Sequence, residues 1–567
     1  MKSLPAILAV LLAACAPASI TGPDTQEDID SAADATPPQD TADVEVIVAE
    51  DTGIEVISST DAVPVFSPDG GAFVSQATVT LSSSTGKGSI RYCLGDPDAL
   101  CSLEAYTGPV TVEDSAMLYA QVVSDTTTSA VEARSYLSVT SEVAGFTSEV
   151  PVMIFWTDGA APDDDDPVAM GMDLFEVSGG QATLQDAPTS SGRARLKLRG
   201  SSSYGASKPS YDLELWEATG ESDRREALLG MPEEGDWVMY APYYFDEALI
   251  RNALGYQLSN NIGRYAPRSE FVEVFVADRG APVKLSDYAG VYGLTEEIER
   301  GSDRVDIAAL TPEDNTLPAL SGGYVIKRDR AGDNESGFWS GEGGGAFSFG
   351  YPLVWVDPEE SERTSAQQDY IEALIDDIGY ALAASDFTSP NTGLHYSALI
   401  DVDAFIDHHI LNILFKNPDA FRLSGYMHKD RDGLLVAGPM WDLDRTAGGN
   451  DSRATTPDEW DATSLTSDTT AAFTWGWYGG LFRDPAFRER YFTRLESLLE
   501  GALSLENIHG EIDDMVATIG AAGERNAAQW GAAEFDGEIA ALKTWFAIRH
   551  GWISACIADA PDPRTCQ

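Results

Sequence analysis

Acidic side chains stand at two places where their spacing could support chemistry on a charged substrate. Asp419 follows an apolar helical pattern in the sequence Asn417-Pro418-Asp419, and a pair of aspartates follows 23 residues later in Trp441-Asp442-Leu443-Asp444. Carboxylate oxygens bind Mg²⁺ and orient hydroxyl groups, so this set could hold a metal ion and position an acceptor. A surface loop with solvated aspartates is the alternative, because acidic residues are common in this chain.

The residues between these motifs predict a strand pair. Gly425–Lys429 and Leu434–Ala437 flank the turn Asp430-Arg431-Asp432-Gly433. A carboxylate at a helix end, then a hairpin, then a second carboxylate pair is the order in which protein-kinase-like folds place the residue facing the acceptor hydroxyl and the residue holding Mg²⁺. The spacing therefore points to phosphoryl-transfer chemistry.

A Gly- and Ser-rich segment from Arg199 to Lys208 is a candidate phosphate-binding loop between two predicted strands. Small residues let backbone amides approach a phosphate, and a lysine at the exit supplies charge. The segment is not a Walker sequence, because no Gly-Lys-Ser/Thr precedes a helix. An ordinary turn is the alternative interpretation.

The composition limits the classes of partner. The chain has 567 residues and a formal net charge of −56, from 36 Lys and Arg against 92 Asp and Glu. Nucleic acid requires a basic face, so a nucleic-acid-binding protein is excluded, although a basic pocket with a divalent cation could hold one nucleotide. With 43% hydrophobic residues and 12 Trp, the chain can form large cores and is not wholly disordered.

The N-terminus predicts export. Positive charge at Met1-Lys2 precedes a short apolar run, Leu4–Ala14, which ends in Leu12-Ala13-Ala14-Cys15. Residues 1–15 resemble the signal peptide and lipobox of bacterial lipoproteins, which implies a lipid on Cys15 as the sole membrane contact. By analogy, Ala16 favours the outer membrane of the cell envelope. An ordinary secretory signal with an incidental cysteine is the alternative.

The other four cysteines form two close pairs, Cys93 with Cys101 and Cys556 with Cys566. Each pair brackets a turn-rich stretch, which favours two local disulfides in an oxidising compartment. A zinc site is the alternative, and with only six His in the chain it is the weaker one.

Three further regions follow the predicted signal peptide along the chain, namely residues 16–60, 61–140 and 150–560. Residues 16–60 contain no aromatic residue and predict a disordered acidic tether. Residues 61–140 show short alternating segments and predict a β-sandwich. That segment resembles the chitobiase/β-hexosaminidase C-terminal module, through "FSPDGGAF" and "YTGP", which implies an accessory domain that could contact glycans.

Residues 150–560 predict one large α+β unit of two lobes with a cleft between them. Strand patterns dominate first, and helical periodicity then covers Val402–Phe415, Pro485–Glu500 and Leu505–Ala522, the last capped by Ser504. His408 and His409 lie in the first of these helices, where a packing role is favoured.

Several motifs of this unit resemble the CotH family of secreted, atypical protein kinases named after a spore-coat protein. They run in order through "RGSSSYGASKPSYDLEL", "DWVMYAPYYFDEALIRNALGYQLS", "GVYGLTEEIER", "GGYVIKRDR", "NPDAF", "MWDLDRTAGG" and "LKTWFAIRHGWI". The resemblance implies a kinase-like fold that binds ATP with Mg²⁺ or Mn²⁺ and phosphorylates Ser or Thr of a protein acceptor.

The resemblance also implies roles for individual residues. Asp419 matches the catalytic aspartate, Asp442 matches the metal-binding one, and Asp444 is a further metal ligand. Lys208 is expected to contact the phosphates and to pair with Glu296, and Lys197 and Lys327 are its rivals. The loop residues Arg199, Ser201 and Ser202 complete the expected nucleotide site. Arg251 is expected to form a structural ion pair.

One position departs from the family. Ser424 stands where Asn is common, which leaves a second metal ligand and the activity itself open. Two hypotheses follow from the sequence. The protein is either an exported kinase that acts on a surface or periplasmic protein, or a catalytically silent surface lipoprotein for adhesion, glycan contact or assembly.

Overall fold

The computed structural model describes residues 62–560 and 562–566, apart from 99, 126, 158, 160, 163–167, 201–204, 278–281, 333–334, 464–469 and 532–533. The predictions for Cys15, the 16–60 tether, Ser201 and Ser202 lie outside these residues. Within them the chain forms 22 strands and eight α-helices. The predicted α+β class is therefore confirmed.

Eight strands form two sheets at the beginning of the described chain. Their apolar residues alternate with polar ones, as in β3, where Val79 and Leu81 are buried and Thr78 and Thr80 are exposed. The buried side chains of both sheets meet in one core that includes Leu118 and Tyr136. The sheets have the strand orders β1-β3-β6 and β2-β8-β7-β4-β5, and the strands are β1 (Pro64–Ser67), β2 (Gly71–Phe73), β3 (Ala77–Ser83), β4 (Ser89–Gly95), β5 (Glu104–Ala105), β6 (Val110–Val112), β7 (Ala116–Val123) and β8 (Glu132–Ser138).

Seven of the next nine strands close into a barrel. All neighbours pair antiparallel except β10 and β16, whose parallel pairing closes the barrel. Closure leaves no free edge, and the inward side chains form a separate core. The barrel order is β10-β11-β13-β14-β15-β17-β16, and the strands are β9 (Thr147–Ser148), β10 (Val152–Trp156), β11 (Val168–Phe175), β12 (Ala182–Thr183), β13 (Ser190–Arg199), β14 (Ser210–Trp216), β15 (Asp236–Tyr240), β16 (Ser269–Ala277) and β17 (Tyr288–Glu296); β9 and β12 pair with each other.

The first two sheets share a core with this barrel. The second face of β7 and β8 packs against β10 and β16, so Met117, Leu137 and Ile154 belong to one buried cluster. Polar groups cross the same boundary: Trp156 Nε1 donates to Ser135 Oγ at 2.8 Å, and Ser135 Oγ donates to Asp173 Oδ2 at 2.6 Å. The boundary at about residue 140 is therefore a packed interface.

The rest of the chain combines a five-stranded antiparallel sheet with most of the helices. Helix α3 is buried from Ala404 to Phe415, as expected for the central helix of a large core, and most of its residues are apolar. The sheet has the order β19-β20-β18-β21-β22. The elements are α1 (Arg251–Asn261), which lies between β15 and β16 in sequence, β18 (Tyr324–Arg328), β19 (Gly337–Phe338), β20 (Leu353–Asp357), α2 (Ser365–Ala383), α3 (Val402–Phe415), β21 (Gly425–Lys429), β22 (Leu435–Ala437), α4 (Gly476–Leu481), α5 (Pro485–Glu500), α6 (Leu505–Ile519), α7 (Ala521–Trp530) and α8 (Phe535–Asp559).

Two predicted covalent links are present. Cys93 is bonded to Cys101 and Cys556 to Cys566, so the disulfide prediction is confirmed. The second link joins the end of α8 to the last described residues. Among the helices described here, none is both long enough and apolar enough to cross a bilayer.

A first prediction concerns Asp173, which is fully buried beneath the first two sheets. Burial raises the pKa of its carboxyl group from 3.8 to about 7, against the lowering effect of hydrogen bonds from Ser135 and Ser191. A carboxyl whose pKa is raised on folding is protonated more readily in the folded state, so stability falls as pH rises from about 4 to about 7. Asp173→Asn should remove this dependence, which amounts to roughly 4 kcal/mol.

Urea unfolding of both proteins at pH values across that window measures the effect. Asp186→Asn is the matched control, since Asp186 is exposed. Equal pH slopes for the wild type and Asp173→Asn would contradict the prediction.

Candidate functional site

A cleft of about 200 Å³ lies between the barrel and the second half of the chain. It brings together four predicted residues, namely Arg199, Asp419, Asp442 and Asp444. The barrel and α1 form one wall, and the ends of β18, α3 and β22 supply the other. Further lining residues that the sequence did not single out are Tyr240, Asn252, Tyr256, Thr295, Asp329, Arg330 and Arg445.

Asp419 is positioned by the end of α3. The helix stops at Lys416, whose backbone is left-handed with φ 51°, and Asn417 Oδ1 then accepts a hydrogen bond from the Asp419 backbone N–H at 3.0 Å. An asparagine that bonds the backbone two residues on forms a tight turn. The Asn417-Pro418-Asp419 sequence thus directs the carboxylate into the cleft.

The same helix end is held by Arg549 of α8, which is fully buried. Its Nε and Nη2 donate to the Ile413 carbonyl at 3.1 and 2.6 Å, and Nη1 donates to the Pro457 carbonyl at 2.8 Å. Burial lowers the pKa of Arg549 to about 9, so the group remains charged at neutral pH. A cation beside C-terminal carbonyls is favoured by the helix dipole. Arg549 therefore fixes the position from which Asp419 projects.

The Asp419 carboxylate is surrounded by arginines. Arg422 Nη2 lies 2.6 Å from Oδ1, Arg453 Nη1 lies 3.2 Å from the same oxygen, and Arg445 Nε lies 3.8 Å from Oδ2. Asp451 bonds Arg445 and Arg453 in turn, at 3.3 and 2.8 Å. This network fixes the orientation of Asp419 and balances its charge.

Asp442 and Asp444 lie on a loop that α1 holds in place. Leu443 donates its backbone N–H to Asn252 Oδ1 at 2.6 Å, and Arg251 Nε donates to the Thr446 carbonyl at 2.9 Å. Arg251 also forms a buried ion pair with Asp246 at 2.6 Å, which confirms the predicted structural role. The Asp442 backbone is left-handed, with φ 58°.

The two carboxylates on this loop form a coupled pair. Their side chains are partly exposed to the cleft and hydrogen-bond to each other, and Ser424 Oγ donates to Asp442 Oδ2 at 3.1 Å. Burial raises the pKa of both carboxyl groups. The charge of Asp419 raises the pKa of Asp442 further and that of Asp442 raises the pKa of Asp444, whereas the hydrogen bond with Asp444 lowers the pKa of Asp442. A divalent cation bound to Asp442 and Asp444 would reduce the repulsion between their negative charges.

The fit to a particular metal depends on the number of ligands. The described residues contain no group of three or more His, Cys, Asp or Glu that could cage a metal ion. Mg²⁺ commonly binds through one or two carboxylates and completes its octahedron with water and phosphate oxygens. The pair therefore fits a magnesium ion that is shared with a bound phosphate. Ser424 contributes its hydroxyl to the same site.

The Lys208 and Glu296 predictions require correction. Lys208 is buried and its Nζ donates to three acceptors, the Val291 carbonyl, Asn526 Oδ1 at 2.9 Å and the Pro242 carbonyl at 3.4 Å. Glu296 instead pairs with Arg268 at 2.6 Å. The ion pair predicted between them is not formed, since Lys208 joins the barrel to α7 and neither side chain lines the cleft.

Lys327, the rival lysine, does line the cleft. Its Nζ lies 2.6 Å from Glu335 Oε1. Residues two apart on a strand point to one face, so Lys327 in β18 and Asp329 just beyond it both reach the cleft. This alternation in "GGYVIKRDR" is the sequence signal that could have identified Asp329. Arg199 pairs with Glu297 at 3.0 Å and with Asp212, and it lies 5.7 Å above the Trp441 ring.

A second prediction follows from the coupled carboxylates. In the absence of divalent cations, Asp444→Asn should stabilise the protein at pH 8 by about 1 kcal/mol, because the wild type holds two carboxyls whose pKa values are raised on folding. At pH 5 the gain should shrink, because the raised pKa values make both carboxyl groups easier to protonate as the pH falls. Urea unfolding in EDTA at both pH values measures it.

Asp451→Asn is the control with the opposite sign. Burial opposes the shift, yet Arg453 and Arg445 hold the pKa of Asp451 below its ordinary value. Asp451→Asn should therefore lower the free energy of unfolding, and the loss should be larger at pH 8 than far below pH 4. An Asp444→Asn protein that is less stable than wild type at pH 8 would refute the repulsion argument.

Comparison with known proteins places the chain in one family. No curated protein matches it. A family model described as CotH kinase protein matches residues 196–553, which is more than half of the chain and includes all of the cleft residues named above. The chain therefore belongs to the CotH kinase protein family.

Proposed function

We propose that the protein is an exported, lipid-anchored atypical kinase that transfers the γ-phosphoryl group of ATP to Ser or Thr of a surface or periplasmic protein. The observation that carries the proposal is the pair Asp442 and Asp444, which share one cleft with Asp419 and with several cationic side chains. Family membership supports a kinase-like function in general. The carboxylates and cationic side chains of the cleft support phosphoryl transfer from ATP in particular.

Asp442 and Asp444 would hold Mg²⁺ or Mn²⁺, with Ser424 Oγ keeping Asp442 Oδ2 in place. A metal ion held there would neutralise phosphate charge. The repulsion between the two carboxylates makes the empty pair unfavourable and the loaded pair favourable. Because the pair supplies only two carboxylates, metal binding should depend on the nucleotide.

Cationic side chains around the pair would bind the phosphates. Arg199, Lys327, Arg330 and Arg445 all line the cleft. Lys327 would take the role first assigned to Lys208, because Lys327 lines the cleft. Trp441 stacks on Tyr256 with ring centroids 5.8 Å apart, which provides an aromatic wall beside the metal pair.

Asp419 would orient the acceptor hydroxyl. The hydroxyl oxygen bonds to the γ-phosphorus, the bond from that phosphorus to the bridging oxygen breaks, ADP leaves and Asp419 receives the hydroxyl proton. Catalysis of this kind rests on positioning and on charge stabilisation. Arg422 and Arg453 fix one oxygen of Asp419, Oδ1.

Export and anchoring belong to the same proposal. The two disulfides support an oxidising compartment outside the cytoplasm. Lipid attachment at Cys15, with retention at the outer membrane, follows from the sequence alone. The two sheets of residues 64–138 would form the accessory sandwich, with glycan contact as their proposed role.

The silent-lipoprotein hypothesis rests on the departure at Ser424 and on the scarcity of ATP outside the cytoplasm. Ser424 replaces the Asn common in the family, so the metal would have one strong ligand fewer. The hydrogen bond from Ser424 to Asp442 argues for a retained metal site. Magnesium-dependent ATP binding separates the two hypotheses.

A third prediction separates the roles of the aspartates. Asp442→Asn should weaken Mg²⁺-dependent ATP binding and abolish transfer, because a metal ligand acts on bound nucleotide and on developing charge alike. Asp419→Asn should keep most of the ATP affinity and lose about 10²-fold or more in rate. Calorimetry and a radiolabel transfer assay on both variants test this. Full activity of Asp419→Asn, or no Mg²⁺-dependent ATP binding by the wild type, would favour the silent lipoprotein.

A fourth prediction concerns the two lysines. Lys327→Met should lower ATP affinity severalfold with little change in Tm, because Lys327 lines the cleft. Lys208→Met should lower Tm, since three buried acceptors lose their donor, and leave the ATP affinity of the folded protein near that of the wild type. Thermal melting and calorimetry distinguish the two, and a reversed pattern would restore Lys208 as the phosphate lysine.

A further inference from the structure

A second, smaller cavity lies behind the segment that carries Asp419. It has a volume of about 50 Å³ and mostly aromatic walls, and we call it the aromatic pocket. Residues 419–425 separate it from the cleft, because Asp419 and Ser424 line the cleft while Phe421 and Gly425 line this pocket. Its other walls include Arg328, Phe349, His408, Trp475 and Tyr478.

Arg328 is the charged group of the pocket. It alternates on the strand with Lys327 and points to the opposite face of the sheet. The residue is only 3% exposed; its Nη1 donates to the Tyr351 carbonyl at 2.9 Å, and its guanidinium lies 3.9 Å over the Phe349 ring. Among the described residues no carboxylate forms an ion pair with it, and Glu342 acts on it only at longer range, raising its pKa. Burial lowers the pKa of Arg328 to about 9, so it is a cation at neutral pH.

A buried cation without an anion is costly, and arginines inside proteins are normally paired. Arg251 follows that rule with Asp246, whereas the buried Arg193 satisfies its donors with four backbone carbonyls. Arg549 likewise satisfies its donors with carbonyls at a helix end. Arg328 has one carbonyl and an aromatic ring, so its guanidinium retains donors for an external acceptor.

A second group in the pocket also lacks an acceptor. The indole N–H of Trp475 is buried and, among the described residues, has no hydrogen-bond partner. His408 adds no charge at neutral pH, because burial lowers its pKa to about 4. The Tyr478 hydroxyl already donates to the Phe405 carbonyl at 3.0 Å. The unsatisfied groups are thus donors only, and they require an acceptor.

We propose that the aromatic pocket binds a carboxylate group on a short hydrocarbon carrier, with Arg328 as the counter-ion and Trp475 as a second donor. One guanidinium balances one negative charge, and its planar fork matches a carboxylate. The small volume and aromatic walls suit a carrier of a few carbons and disfavour a larger dianion such as phosphate. Two sources share this chemistry: a free short-chain acid, and the side chain of a glutamate in a peptide.

Propionate is the probe for the site, and the experiment needs no nucleotide, so it is independent of the proposed kinase activity. A ligand that binds only the folded state raises Tm in a saturable way. Propionate should raise the Tm of the wild-type protein, whereas propionamide and sodium chloride at matched ionic strength should not. Equal effects of the three solutes would overturn the proposal.

Variants assign the effect to the pocket. Arg328→Gln should abolish the response, and Trp475→Phe, which removes only the N–H, should weaken the apparent affinity severalfold. Arg363→Gln is the matched control, because Arg363 is partly buried and lies 4.6 Å over an aromatic ring, that of Trp355, outside the pocket. If Arg328→Gln does not fold, Trp475→Phe decides alone. A wild-type response in Trp475→Phe would overturn the proposal.

The source of the carboxylate is tested by competition. Acetyl-glutamate amide, with acetyl-glutamine amide as its neutral control, should compete with propionate if the pocket accepts a peptide side chain. A response to propionate alone supports a free short-chain acid. Either result upholds the carboxylate site, and a response to neither acid overturns it.

Discussion

The buried ion pair between Arg251 and Asp246 is the interaction on which the rest of the cleft depends. It joins helix α1, on the barrel side, to the backbone that follows the Asp442 and Asp444 loop, since Arg251 also bonds the Thr446 carbonyl. Removing one partner of a buried ion pair commonly lowers the free energy of unfolding by roughly 3–5 kcal/mol, because the other charge is left buried without a partner. The pair thereby couples the stability of the fold to the geometry of the candidate metal site.

Charge in this protein is segregated. A chain with a formal net charge of −56 places several of its 36 basic residues around a few carboxylates in one cleft. Asp419 is balanced by arginines, whereas Asp442 and Asp444 face each other with raised pKa values. The two sets differ in what they still need: the first has its counter-ions within the protein, and the second requires a cation from outside. Arg549 and Arg328 differ in the same way: Arg549 has its hydrogen-bond acceptors within the protein, whereas Arg328 requires an acceptor from outside.

The sequence predicted local features well, because they depend on neighbours along the chain. Helix α3 spans Val402–Phe415 as its apolar periodicity indicates, and the strand pair that follows it is present as β21 and β22. One predicted helix, Leu505–Ala522, is instead two, because the backbone at Gly520 turns to φ 54° and α7 begins there.

Long-range contacts were not predictable in the same way. Lys208 bonds Asn526, 318 residues away, and the barrel closes through the parallel pairing of β10 with β16. No periodicity or motif specifies such partners. The candidate site was therefore found where its residues form compact motifs, as with Asp419 and Asp442, and was wrongly assigned where a lysine had to be matched to a distant carboxylate.

The shared core between the first two sheets and the barrel affects how this chain could evolve. Strands β7 and β8 bury one face within the first two sheets and the other face against the barrel. Recombination could therefore not exchange this module, the two sheets of residues 64–138, without disturbing the barrel. A replacement would have to present the same apolar outer face and supply the hydroxyl of Ser135 to Trp156 and Asp173. Changes on the two sides of that boundary are therefore expected to occur together, so that the module and the barrel are inherited as one unit.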